Sequence, residues 1–295
     1  MGSDLLGESA VARATFEAAD ELLGYSLSGI MAGERGDELN RTIYAQPAIF
    51  VHSMALLAVL GERCKLSPVI AAGHSLGEYS ALCAAGVLGF QEALEIIQVR
   101  AEGMDKAQPA GNCGMAAVIG LPRESVIRLV ETNREAQVLE AANFNGPDQV
   151  VISGHIEAVS RAVEAAGKEK RTRAVVLPVS SAFHTQLMET ARESLGRRLN
   201  EVVPGKGSFP VVANVTAGLY PSEPDQIRRL LTDQVVKPVL WEDCVRAMVE
   251  RGAANFVEVG PGKVLSGLLR RIDRKATCFN VSDMESIRAF QGALQ

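Results

Sequence analysis

The stretch Val69-Ile70-Ala71-Ala72-Gly73-His74-Ser75-Leu76-Gly77 constrains this chain more than any other. A short apolar run leads straight into Gly-x-Ser-x-Gly, and Glu78-Tyr79-Ser80-Ala81-Leu82-Cys83-Ala84-Ala85 follows with helix-forming composition. A strand that turns at once into a helix through such a motif is a nucleophile elbow. Small flanking residues admit the tight bend, and the serine hydroxyl stands clear of the backbone. The first amides of the helix favour negative charge developing on a substrate oxygen.

Around the elbow, helix and strand signals alternate, which predicts an α/β fold built on a largely parallel sheet. Helices are expected over residues 10–23, 47–60, 78–85 and 90–107, the second apolar on most faces and therefore buried. Pro109-Ala110-Gly111-Asn112-Cys113-Gly114 reads as a hinge. Beyond it come a strand at 115–119, a helix at 123–132, a strand at 149–153, a helix at 156–166 and a strand at 173–179, the pattern of a small ferredoxin-like insert. The main pattern resumes with a helix after His184, a strand at 210–214, a helix at 241–251 and a strand at 256–259 before Gly260-Pro261-Gly262. The expected organisation is a main α/β domain of residues 1–111 and 180–295, interrupted by an α+β subdomain of residues 112–179.

With 295 residues, 47% of them hydrophobic, the chain can bury a large core. A formal net charge of −5 argues against a nucleic-acid partner. The five cysteines are scattered without a C-x-x-C pair, which points to reduced thiols and a cytoplasmic setting. No secretion signal is read, and no apolar run reaches the roughly 18 residues of a membrane span, so neither export nor a membrane partner is expected. No metal site is expected either.

A serine nucleophile needs a base, and there are four histidines. His52 lies in an apolar helix and reads as a core or surface residue. His155 looks like a turn residue, and His74 adjoins the serine on a bend that directs successive side chains apart. His184 follows the apolar run 175–179 and precedes a helix, the place where open α/β sheets assemble their sites, so it is the candidate base. No carboxylate stands out as a third member. A backbone carbonyl can hold an imidazole in one tautomer as well as a carboxylate does, with less stabilisation of the imidazolium. On spacing alone, Arg100 is a solvated cation near the end of its helix, favourable to the helix dipole.

Several segments together carry a wider resemblance: Gly73 to Leu82, Gln46-Pro47-Ala48, Arg100 placed 25 residues after the serine, Asn143-Phe144-Asn145, Ala182-Phe183-His184, and Glu258 to Leu265. Over nearly the whole chain they resemble the malonyl-CoA:acyl carrier protein transacylases. The resemblance implies an α/β-hydrolase-like domain with an inserted ferredoxin-like subdomain. It also implies transfer of a malonyl group from malonyl-CoA to the phosphopantetheine thiol of acyl carrier protein through a malonyl-serine, in fatty acid or polyketide biosynthesis, with no permanently bound cofactor. By the same resemblance Ser75 would be the nucleophile, His184 its base and Arg100 the binder of the malonyl carboxylate. Leu76 would supply one oxyanion amide, Gln46 would join the substrate-binding residues, and the backbone carbonyl of Gln234 would orient the histidine. Phe183 matches the malonyl-selecting type of related polyketide synthase domains, in which a serine at this position accompanies methylmalonyl selection. Lys168, Lys170, Arg171 and Arg173 are candidates for docking the acidic carrier protein, or else an ordinary solvated run before a strand.

One departure stands out. Members of the family begin with a strand and a Gly-Gln-Gly loop whose glutamine supplies a second oxyanion donor, and nothing before Ala10 matches it. Loss of one such donor typically costs on the order of 10²–10³ in kcat, so weak or no activity is expected of residues 1–295 alone. Two other classes stay open on this reading: a serine hydrolase or thioesterase, and a non-catalytic acyltransferase-like module.

Overall fold

The computed structural model describes residues 1–109, 111–179 and 181–294. Ala110, within the expected hinge, and Ser180, at the expected domain boundary, lie outside the described residues. The chain divides into two compact units. One comprises Met1–Ala101, Pro204–Val212 and Met248–Gln295, and the other Glu102–Val203 and Ala213–Ala247.

In the first unit the strands are short and parallel. β1 (Ala71–Ala72) pairs with β6 (Val211–Val212), and β7 (Asn255–Val259) pairs with β8 (Thr277–Val281). The helices carry most of the core. The helix Thr42–Arg63 begins five residues before the expected start, with the Ala45 amide bonded to the Arg41 carbonyl at 2.8 Å, and runs through Pro47. By length and composition it could cross a membrane, contrary to the expectation that no such run exists; Gln46, His52 and Ser53 interrupt it without charge. In this unit its residues Phe50, Val51, Leu56 and Leu60 are fully buried, and it packs against the helices Ala10–Leu23 and Gly77–Ala84. The Glu258 motif has a structural use: its carboxylate accepts the amides of Leu265 at 2.9 Å and Ser266 at 2.8 Å, satisfying the first turn of the helix Val264–Ile272.

The second unit is organised on an antiparallel sheet of four strands: β2 (Cys113–Ile119), β3 (Leu139–Gly146), β4 (Gln149–His155) and β5 (Arg173–Val176), in the order β3-β4-β2-β5. With the helices Arg123–Asn133 and Ile156–Gly167 this is the βαββαβ ferredoxin-like arrangement. The sequence reading had one strand fewer. β3 was hidden because Asn143, Asn145 and Gly146 suppress its strand signal and bulges break its register. Alternation sorts the two faces: Ala116, Val118, Val150 and Ile152 pack under the helices, whereas Met115, Ala117, Ala142 and Val151 pack with Leu177 and Phe183.

This unit extends well past residues 112–179. The reason is in the backbone: the Phe144 amide donates to the Val239 carbonyl and the Val239 amide to the Ala142 carbonyl, each at 2.9 Å, so a distant segment continues the sheet beside β3.

Candidate active site

The elbow forms, and its geometry falls on particular atoms. Ser75 has φ of 51°, in the left-handed region that non-glycine residues seldom occupy. At Gly73 a Cβ would lie 1.8 Å from the Gly77 carbonyl oxygen, so only glycine allows the close approach. Gly77 differs from expectation: a Cβ there meets nothing within 4 Å among the described residues, and small size is not required on that side. Gly77 instead opens the helix Gly77–Ala84, with its amide bonded to the His74 carbonyl at 2.9 Å and the Glu78 amide to the Ser75 carbonyl at 3.1 Å. The amide of Leu76 has no acceptor among the described residues, and it sits at the positive end of this helix.

Arg100 is not the solvated cation that spacing alone suggests. It is 1% exposed, on the helix Phe90–Lys106. Its Nη2 donates to Ser75 Oγ at 3.0 Å and its Nη1 donates to Gln46 Oε1. The guanidinium carbon lies 5.7 Å from the centre of the Tyr79 ring. Burial pulls Arg100 below the ordinary arginine range, with Tyr79 and Glu78 acting the other way, and burial likewise pushes Tyr79 up. Glu78 is 1% exposed, so the guanidinium has a buried carboxylate on the elbow helix as countercharge. The sequence reading missed Glu78 and Tyr79. Their signal is their place in the first turn after the nucleophile, where a buried acid calls for a buried cation.

His184 belongs to the second unit. It does not end a strand: β5 stops at Val176, the Val179 amide turns back to the Leu177 carbonyl at 2.8 Å, and His184 lies in the loop beyond. Its φ is 60° and it is 3% exposed. Phe183, half-buried, packs on the sheet face opposite the two helices, and Thr185 Oγ1 donates to the Ala182 carbonyl at 2.8 Å while accepting the Leu187 amide at 3.3 Å. His184 Nδ1 lies 2.8 Å from the backbone carbonyl of Gln234, the last residue of the helix Pro224–Gln234. That carbonyl is one of the acceptors a helix does not use within itself at its C-terminal end, so it takes an Nδ1–H. Nε2 then remains for proton transfer.

Two of the other histidines have separate structural places. His52 is buried in the core helix, and burial lowers it to about 4. His155 ends β4, and its Nδ1 accepts the Val138 amide at 3.0 Å. Lys168, Lys170 and Arg171 are exposed between the helix Ile156–Gly167 and β5, and Arg173 is exposed at the start of β5, with Lys168 paired to Glu164 at 2.9 Å. Among the described residues no group of His, Cys, Asp and Glu is arranged to hold a metal ion.

Comparison with known proteins places the chain in a family. The acyl transferase domain family matches residues 1–289. The malonyl CoA-acyl carrier protein transacylase of Bacillus subtilis is 38% identical over 97% of this chain and 90% of its own length. This chain belongs to that family of acyl transferases. The crystal structure of the malonyl CoA-acyl carrier protein transacylase from Clostridium perfringens superimposes with a TM-score of 0.94 at 35% identity, covering 100% of this chain and 92% of that one. A malonyl-transacylase solved in complex with its type II PKS acyl-carrier protein gives a TM-score of 0.95 at 37% identity, over 99% and 94% of the two chains. The fold is accordingly α/β, hydrolase-like, with a ferredoxin-like subdomain.

Proposed function

We propose that this protein transfers a malonyl group from malonyl-CoA to the phosphopantetheine thiol of an acyl carrier protein, in fatty acid or polyketide biosynthesis and in the cytoplasm. The observation that carries the reading is the buried Arg100 guanidinium on Ser75 Oγ at 3.0 Å. A malonyl ester on Ser75 carries a free carboxylate two carbons from its carbonyl, within reach of a planar fork that can grip both oxygens. An acetyl group has no carboxylate for that arginine to hold, so the malonyl group gains contacts that acetyl cannot make.

In the first transfer, Ser75 Oγ attacks the thioester carbonyl as its proton passes to His184 Nε2. The C–O bond forms, the C–S bond breaks, and the CoA sulfur leaves with the proton from the imidazolium. The second transfer runs in the opposite sense. The carrier thiol gives its proton to Nε2, its sulfur attacks the ester carbonyl, and Ser75 recovers a proton as the C–O bond breaks. The Leu76 amide receives the oxyanion in both steps, and the Gln234 carbonyl holds the ring so that Nε2 faces the chemistry. No resident cofactor takes part. Gln46 holds Arg100 in place, Phe183 borders the acyl group, and Lys168, Lys170, Arg171 and Arg173 meet the acidic carrier protein. On this reading residues 112–179 act as a subdomain within a hydrolase-like domain of residues 1–111 and 180–295.

Intact-protein mass spectrometry after incubation with malonyl-CoA tests the proposal. A malonyl adduct absent from Ser75→Ala, weak with acetyl-CoA and discharged by carrier protein is the expected result. Release of malonate to water at a rate that carrier protein does not change would point to a hydrolase instead.

A further inference from the structure

Asp233 stands next to the residue whose carbonyl holds His184, and its side chain is only 8% exposed. Each carboxylate oxygen has its own cation: Arg192 Nη2 donates to Oδ1 at 2.9 Å and Lys237 Nζ to Oδ2 at 2.7 Å. Its backbone carbonyl accepts the amides of Val236 at 3.1 Å and Lys237 at 2.9 Å, closing the chain around the end of the helix Pro224–Gln234. Arg192 comes from the helix Glu189–Leu199, which is joined to the His184 loop by the short turn Gln186–Met188. One buried carboxylate therefore ties the element that follows His184 to the helix end that presents the Gln234 carbonyl.

We propose that Asp233 is a positioning residue for His184. Clamped by Arg192 and Lys237, it fixes the last turn of the helix Pro224–Gln234 against the helix Glu189–Leu199, and so fixes the separation between Gln234 O and His184 Nδ1. That separation keeps the proton on Nδ1 and makes Nε2 the nitrogen that accepts one. The carboxylate suits this use because one group makes both contacts, so its removal breaks them together, while Arg192 keeps its pairing with Glu189 on its own helix. The inference rests on His184 being the base. The helix Pro224–Gln234 is tied a second time, away from its end, to the segment that follows the helix Glu189–Leu199: Arg228 Nε and Nη2 both donate to the Val202 carbonyl, at 3.1 and 2.7 Å. Arg228 therefore provides a comparator that shares the packing role without the positioning one.

The experiment measures the single-turnover rate of Ser75 malonylation, and the melting temperature, for wild type, Asp233→Ala, Asp233→Asn, Arg228→Ala, His184→Ala and the Asp233→Ala/His184→Ala pair. Misplacement of a catalytic group by about 1 Å costs about 10²-fold, so Asp233→Ala is expected to slow acylation at saturating malonyl-CoA by about 10- to 100-fold with KM little changed. Arg228→Ala should lower the melting temperature and leave the rate intact. In the His184→Ala background, Asp233→Ala should add nothing further. Asp233→Asn, nearly isosteric, answers the question if the alanine variant does not fold. An Asp233 effect of equal size with and without His184, or a folded Asp233 variant as fast as wild type, overturns the inference while leaving the base assignment standing. A His184→Ala protein as fast as wild type overturns the base assignment, and the inference with it.

Discussion

Ser75 and His184 both adopt left-handed backbone conformations, with φ of 51° and 60°, yet the two are held by different means. Each such residue costs about 1–3 kcal/mol and persists only where its surroundings impose it. At Ser75 the imposition is local. Gly73 leaves room for the Gly77 carbonyl, and the helix Gly77–Ala84 starts within two residues of the serine. At His184 it is spread over the chain: Phe183 against the four-stranded sheet, Thr185 bracing Ala182 and Leu187, and the Gln234 carbonyl fifty positions later. A local hold is brittle, because one absent Cβ carries it, whereas a distributed hold should fail by degrees.

The largest expected effect is at Gly73. Gly73→Ala would push a methyl group into the Gly77 carbonyl, and acyl-serine formation should be lost altogether, which mass spectrometry would detect. Next comes Arg100→Ala. Two charge-assisted hydrogen bonds of about 1.5–3 kcal/mol each are lost, so kcat/KM for malonyl-CoA should drop by about 10²–10⁴-fold, while turnover of a neutral acyl-CoA changes far less. Equal losses for both substrates would show that Arg100 serves the elbow alone.

A smaller effect comes from His52, a histidine buried without the acceptor that His184 has; its Nδ1 has no hydrogen-bond partner among the described residues. Burial holds it at about 4 against an ordinary 6.5, opposed by Asp4 and Asp283 and assisted by the chain's N-terminal ammonium. The unfolded chain therefore takes up the proton first as pH falls. Stability should be lost from pH 6.5 down to about 4 and the loss should level off below that, reaching about 3 kcal/mol. His52→Leu should flatten that part of a pH series of denaturation midpoints; an unchanged slope would mean that the proton uptake lies elsewhere. The smallest effect is at the other elbow glycine. Gly77→Ala meets no atom within 4 Å among the described residues and should shift stability by less than about 1 kcal/mol, with acylation intact. A severe Gly77→Ala defect would break the contrast between the two sides of the bend.

What could be read from the sequence follows the same division. The elbow announced itself because strand, bend and helix are contiguous, and the helix Ala10–Leu23 was legible because its apolar positions recur at helical spacing. The orientation of His184 had no local signal. A main-chain carbonyl belongs to every residue, so Gln234 was accessible only through family resemblance. The burial of Arg100 was invisible for a related reason: its partners Ser75 and Gln46 are 25 and 54 positions away. β3 was missed because Asn143 and Asn145 lower strand propensity, although a neighbouring segment bonded at Val239 keeps that strand in the sheet.

The ends of the four-stranded sheet bear differently on how copies of the molecule behave in a crowded solution. β3 is covered by the backbone at Val239, whereas β5 has only β2 as a partner among the described residues. A bare strand edge invites a strand of another molecule to add to it. Val176 at the end of β5 is 53% exposed and would not discourage that addition. Arg173 on the strand, and Lys168, Lys170 and Arg171 leading into it, set like charges along both members of any such pairing. The cations proposed to greet an acidic partner would thus also deter self-association, and neutralising them should raise the tendency to aggregate even where transfer to carrier protein survives.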